Sequence, residues 1–246
     1  MSVGRARRSA LREPLIAPQP RTRARRGEGD TLRVEFLRAA GKLLDEGGER
    51  ALTIRAVAAV VGVTRPSVYQ HYRDKAELMD AVCFQAWRGL EKQMLDAASG
   101  SSDPAQALRL RAVAYARFAL SNAVRYRLLM APRSGGRSEI ARQASDALLE
   151  HLVAAVRPCV EAGVFRGDTL QLTLGIWAAI HGCVTLLMSH PELPWSGDID
   201  SFADHVGRMS GLGTALLSRV QTLGSPPTSE VYARVLDATL AELAET

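Results

Sequence analysis

The fourteen residues GVTRPSVYQHYRDK, at positions 62–75, hold two tyrosines, a histidine, two arginines, a glutamine and a lysine in a chain otherwise rich in Ala, Leu and Val. A glycine opens the stretch and a proline interrupts it. Arg65, Ser67, Gln70 and His71 are short-range hydrogen-bond donors suited to base edges or nearby phosphates. Tyr69 and Tyr72 each combine a ring that packs with a hydroxyl that reaches a phosphate oxygen. Lys75 falls in the first turn of a helix, where exposed N–H groups reinforce its pull on phosphate, and Thr53 stands at the start of another.

The flanking pattern says how these groups are presented. Ile54, Val57, Ala58 and Val61 are apolar at helical spacing behind Thr53. Gly62 permits the positive φ of a tight turn. Thr64 caps the next helix, and Pro66 lies in its first turn, where a missing N–H costs nothing. Asp74 and Glu77 form a variant capping box that starts a long helix to about Ala98. Helix, glycine turn, helix is the layout of a helix-turn-helix reader, whose second helix offers its N-terminal residues to the major groove.

Period-3.6 patterning dominates from residue 30 onward, with no strand alternation and no internal repeat. The expected fold is all-α: a three-helix helix-turn-helix domain at 30–75, then a larger helical bundle over 76–246. A first helix runs from Asp30 or Thr31 and stops at Gly47-Gly48. Later helices start at Asp103-Pro104 and Asp168, with Pro132 through Gly136 and Pro194 through Asp198 as loops. No apolar run reaches the roughly 18 residues of a membrane helix, so no membrane association is expected.

The chain has 246 residues and a net charge of +5. Residues 1–29 form an Arg-rich arm, and eight arginines against three acids within the first thirty residues carry the whole excess. Such an arm is expected to be disordered alone and to order on a polyanion. Arg25 and Arg26 lie nearest the folded part. Cys83, Cys159 and Cys183 are odd in number and widely spaced, which suits buried thiols in a reducing cytoplasm.

The stretch LTIRAVAAVVGVTRPSVYQHYRDKAELMDAV resembles the DNA-binding signature of TetR-type transcriptional regulators. The matching residues are Thr53, Ile54, Val57, Ala58, Gly62, Val63, Tyr69, Tyr72, Lys75, Glu77 and Leu78. Pro66 departs from the small flexible residue often found there. The resemblance implies a homodimer that sets one recognition helix per subunit into double-stranded DNA at a palindromic operator. It also implies a C-terminal bundle that binds a small-molecule effector and carries the dimer interface. Arg25 and Arg26 then gain a role on the DNA flanking the site.

Within the bundle, IWAAIHGCVTLL carries Trp177, His181 and Gly182 and resembles the TetR subgroup named for that W-x-x-x-H-G pattern. Trp177 and His181 share a helix face, and Gly182 lets another helix come close. Core packing and pocket lining are both open readings of this pair. Phe84, Trp87, Tyr115, Phe118, Tyr126, Met130, Phe165 and Met188 are further pocket candidates, of which most must be ordinary core. Few charges occupy inward positions, which favours an uncharged or amphipathic effector. The helices at about 169–190 and 200–222 are the expected dimer helices.

The leading expectation is a ligand-responsive repressor. An architectural DNA-binding protein without an effector is the alternative, although some 170 residues of bundle exceed what DNA binding needs. No catalytic triad, paired carboxylates, phosphate loop or metal-ligand spacing appears, so neither an enzyme nor a cofactor is expected.

Overall fold

The computed structural model describes residues 29–130, 139–195, 198–217 and 228–244. Among them the chain forms ten helices and no strand. These are α1 (Gly29–Ala51), α2 (Ile54–Val61), α3 (Arg65–Tyr69), α4 (Lys75–Ala98) and α5 (Pro104–Ser121). They continue as α6 (Ala123–Met130), α7 (Glu139–Glu161), α8 (Thr169–Ser189), α9 (Ile199–Leu217) and α10 (Ser229–Ala244). The chain divides into two compact units, Met1–Leu78 and Met79–Thr246, with the boundary in the first turn of α4.

Caps written in the sequence set most helix starts. Asp103 Oδ1 accepts from Gln106 N–H at 2.6 Å, with Pro104 in the first turn of α5. Asp168 Oδ1 accepts from Gln171 N–H at 2.9 Å to open α8. Asp74 Oδ1 accepts from Glu77 N–H at 2.8 Å, and Glu77 Oε2 takes the Arg73 N–H at 2.7 Å, a reciprocal pair shifted by one residue from the usual capping box. The Gly47-Gly48 stop is a kink instead: Gly48 takes φ 66°, and helical structure resumes to Ala51.

One helix was expected between Asp103 and Pro132; the structure holds two. Asn122 leaves helical geometry at φ −127° and ψ 39°. Its side-chain Nδ2 donates to the Phe118 carbonyl at 2.9 Å, a local bond that competes with continuing the helix.

In the smaller unit α1 packs on α2 and α2 on α3, around Phe36, Leu44, Leu52, Val57, Val68 and Tyr72. In the larger unit α5 and α8 are central, with α7 on one side and α9 on the other. Its main core gathers Trp87, Leu90 and Met94 from α4, Tyr115 and Phe118 from α5, Tyr126 from α6, and Ile180 and Val184 from α8. A Cβ on Gly207 would meet Ala112 Cβ at 3.6 Å and Ile180 Cδ1 at 3.8 Å, so α9 sits close on both α5 and α8.

One expectation is corrected here. α8 is 21 residues long and apolar enough, by length and composition, to cross a membrane. It packs against α5, α7 and α9 and buries Ile176, Ile180, Cys183, Val184 and Leu187, while Leu170, Leu174 and Leu186 stay exposed. All three cysteines are buried, and burial pushes the Cys159 thiol up to about 11.

Candidate DNA-reading face and ligand cavity

The smaller unit builds its face from two helix ends. Thr53 Oγ1 accepts from Ala56 N–H at 3.1 Å and starts α2. At the other end Gly62 adopts φ 77°. Val63 N–H then reaches the Ala58 carbonyl at 2.9 Å, and Gly62 N–H reaches Ala59 at 3.3 Å. This paired closure satisfies two carbonyls that a helix end leaves bare and swings the chain into α3.

Thr64 precedes α3, but its side chain makes no bond to the backbone there. Its Oγ1 lies 3.1 Å from Ser67 Oγ. The expected Thr64 cap is therefore a hydroxyl pair, and Ser67 is half-buried. Val68 and Tyr72 anchor the segment, at 0% and 1% exposure. Around that anchor, Thr53, Thr64, Arg65, Pro66, Tyr69 and Gln70 are exposed.

Two expected contact residues turn inward. Tyr72 is buried, its hydroxyl included, and the Arg33 guanidinium lies 5.4 Å from its ring centroid. Its hydroxyl is thus removed from any phosphate, because the i, i+4 partner of Val68 must share the buried face. The His71 ring lies 5.4 Å from that of Phe36, tilted by 60°, and is half-buried. Lys75 Nζ donates to the Glu49 carbonyl at 2.9 Å, tying the end of α1 to the start of α4. Sequence reasoning had no signal for that tie, since its acceptor is backbone 26 residues away. Arg25 and Arg26 lie outside the described residues.

In the larger unit, the W-x-x-x-H-G residues meet two tyrosines. Trp177 Nε1–H donates to Tyr115 Oη at 3.1 Å. Tyr115 and Tyr126 hydroxyls are 2.8 Å apart, and Tyr126 Oη is 2.7 Å from His181 Nδ1. An indole can only donate, so Tyr115 accepts from Trp177. Tyr115 Oη also stands 3.4 Å from His181 Nδ1, so both phenols face the same imidazole nitrogen, which accepts when the ring proton is on Nε2. Burial raises both phenol pKa values and lowers that of His181, so every member stays neutral. Both open readings of the Trp177–His181 pair assumed other partners; neither anticipated the tyrosines. Gly182 does not mediate a close approach within the chain: a Cβ there would meet nothing within 4 Å.

Behind this relay lies a cavity of about 40 Å³ between α4, α5, α7 and α8. Leu108, Arg111, Tyr115, Val156, Ile176 and Trp177 are among its walls. A wider space of about 460 Å³ between α5, α8 and α9 shares Leu108, Ala112 and Ile176 with it. Of the pocket candidates, Tyr115 and Trp177 line the smaller cavity and Phe165 the wider space. Trp87, Phe118 and Tyr126 are core, with Phe84, Met130 and Met188 packed against it. Sequence reading missed Arg111, a single basic residue on a mostly apolar helix face.

Comparison with known proteins agrees with both units. Residues 36–82 match the family described as bacterial regulatory proteins, tetR family, and residues 108–209 match the tetracyclin repressor-like C-terminal domain. The chain is 32% identical over 141 residues to the class A tetracycline repressor protein from transposon 1721 of Escherichia coli, covering 57% of this chain and 59% of that protein. The class C tetracycline repressor of the same organism is 29% identical over 145 residues, or 60% of its length. Less than two thirds of either relative is thus spanned. Among solved structures, a protein of unknown function from Rhodococcus sp. RHA1 superposes with TM-score 0.66 at 25% identity, covering 75% of this chain and 95% of that one. The TetR family transcriptional regulator PfmR from Thermus thermophilus shares the fold at TM-score 0.54 and 23% identity, covering 71% of this chain and 96% of that one.

Proposed function

Because this chain belongs to the TetR family of bacterial transcriptional regulators, we propose that it is a repressor. It holds a palindromic operator as a homodimer and releases it when a small-molecule effector occupies the larger unit. The observation that carries this reading is the outward face of α3. Arg65, Pro66, Tyr69 and Gln70 project from a helix whose Val68 is buried. Arg65 and Gln70 read base edges. Thr53, Thr64, Ser67 and Tyr69 engage phosphates, and Arg25 and Arg26 contact DNA beside the site. Lys75 holds the frame through Glu49 and adds positive charge near the backbone.

The name of the tetracycline repressors it resembles supports the repressor sign and a small-molecule trigger. Dimerisation has its own support. α8 exposes Leu170, Leu174 and Leu186, and α9 exposes Met209, Leu212 and Leu217. With open space at Gly182, two such helices from each copy make a four-helix interface. Binding chromosomal DNA places the protein in the cytoplasm, and the mechanism includes no catalytic step. The effector acts by preferring one dimer state, and it shifts DNA affinity only by its differential affinity for the two states.

Selection from random duplexes at two salt concentrations tests the reading. A palindromic consensus bound less tightly as salt rises is the expected result. Salt-sensitive binding with no enriched site would replace it with an architectural role led by the arginine arm.

A further inference from the structure

Among the described residues, Arg111 is the one charged residue on the wall of the smaller, partly open cavity. It stands one turn before Tyr115 on the same face of α5. Its Nε is buried, and no described residue offers that N–H an acceptor. It is paired with no carboxylate among the described residues, and burial alone acts on it, pulling its pKa down.

Two neighbouring nitrogens are in the same condition. Trp87 Nε1 and His151 Nε2 are buried without partners among the described residues. The two rings meet edge to face with centroids 5.7 Å apart, and the Arg111 charge bears on His151. His151 Nδ1 is 3.7 Å from Glu91 Oε1, beyond hydrogen-bond length, so the ring is free to carry its proton on Nε2. His151 and Trp87 lie on the helices that also give Ala155 and Met94 to the cavity wall, one and two turns further along.

Folded proteins leave few buried donors unmet, and each one costs stability. Two such donors and the His151 ring nitrogen, one of the donors on a guanidinium without a carboxylate partner among the described residues, call for an acceptor that also brings negative charge. The guanidinium fork matches a carboxylate in geometry. Apart from Tyr115, Thr173 and Trp177, the rest of the wall is hydrocarbon.

We propose that this cavity is the effector site and that its ligand is a monocarboxylate with an apolar body. Arg111 receives the carboxylate, with the Trp87 N–H and His151 beside it, and the body lies against Leu108, Val156, Ile176 and Trp177. The wider space between α5, α8 and α9 takes the remainder of a longer body. This assignment of ligand class rests on the effector-release reading above.

The test is a titration of the full chain with monocarboxylates from butanoate to dodecanoate and with benzoate, each beside its methyl ester. Calorimetry reads affinity directly. At least one acid binds about tenfold or more tightly than its ester, as expected for a charge-assisted bond. Arg111→Gln removes that preference and leaves ester binding within about twofold. Trp87→Phe, which keeps the ring and removes the N–H, weakens the acid several-fold. Arg111→Met, free of ligand, melts no lower than the parent, because it removes an uncompensated charge.

No binding of any acid overturns the proposal, as does equal affinity for acid and ester, or an Arg111→Gln variant that still prefers the acid. Operator release is read separately on a labelled duplex. An acid that binds through Arg111 and leaves the duplex bound keeps the subsite and overturns the release mechanism instead.

Discussion

The phenolic oxygen of Tyr126 stands 2.7 Å from Nδ1 of His181, and the two come from different helices. The contact belongs to a hydrogen-bonded cluster that the Trp177 indole enters as a donor through Tyr115. Each link satisfies a polar atom that the apolar core would otherwise strand.

Removing a middle link should therefore cost more than removing one bond. Tyr126→Phe takes a partner from both the Tyr115 hydroxyl and His181 Nδ1, leaves them only a long 3.4 Å contact with each other, and should destabilise the protein by about 1–3 kcal/mol. Denaturant unfolding measures it. Tyr115→Phe with Tyr126→Phe should cost less than the two single changes summed, since they share a bond. Strict additivity would mean the hydroxyls do not work as a chain.

Stability should fall in mild acid. Burial lowers the pKa of His181, and burial followed by the Arg111 charge lowers that of His151. The unfolded chain binds its protons near about pH 6.5, while the folded chain still refuses them. The unfolded state then holds more protons, so stability drops as pH falls through about 6.5 and levels off below the folded values. Urea midpoints at pH 7.5 and 5.5 test this. His151→Gln with His181→Gln should flatten the difference, and an unchanged slope would assign it to other groups.

On the DNA side, Tyr72 and Arg65 should behave oppositely. Tyr72→Ala empties a buried site and should cost the protein about 3–5 kcal/mol. Tyr72→Phe should leave operator affinity unchanged, because the hydroxyl is buried. Arg65→Ala should spare stability and relax preference at one base pair, by about 1–3 kcal/mol. A Tyr72→Phe variant that selectively loses phosphate contacts would return that hydroxyl to the interface.

Leu212→Glu should give a monomer in light scattering, since Leu212 is 65% exposed on α9 and a charge there has no place in an apolar interface. Its operator affinity should fall with the loss of the second half-site. A dimer that persists would move the interface off α9.

The helix-turn-helix was legible because local chemistry dictates it. Thr53, Gly62 and Asp74 punctuate the chain by bonds spanning at most five residues, and such bonds can be read from order alone. The inward turn of Tyr72 followed from its spacing to Val68, although its hydroxyl suggested otherwise. Lys75, Arg111 and the Trp177 relay were not legible in the same way. Lys75 depends on a carbonyl in α1, and the relay on helices more than fifty residues apart. Arg111 looked like one more surface arginine until burial of its Nε set it apart. The preference for an uncharged or amphipathic effector came from counting inward charges, and among the described residues Arg111 is the one charge on the cavity wall.

The break at Asn122 sets a distance. Tyr115 and Tyr126 are eleven residues apart, and on one unbroken helix they would share a face while standing about 16 Å from each other along the axis. The interruption folds that length back until the hydroxyls are 2.8 Å apart. A helix-favouring substitution such as Asn122→Ala thus acts as a ruler correction. By straightening the rod it pulls the two phenols out of reach, and it disconnects the indole at one end from the imidazole at the other without touching either.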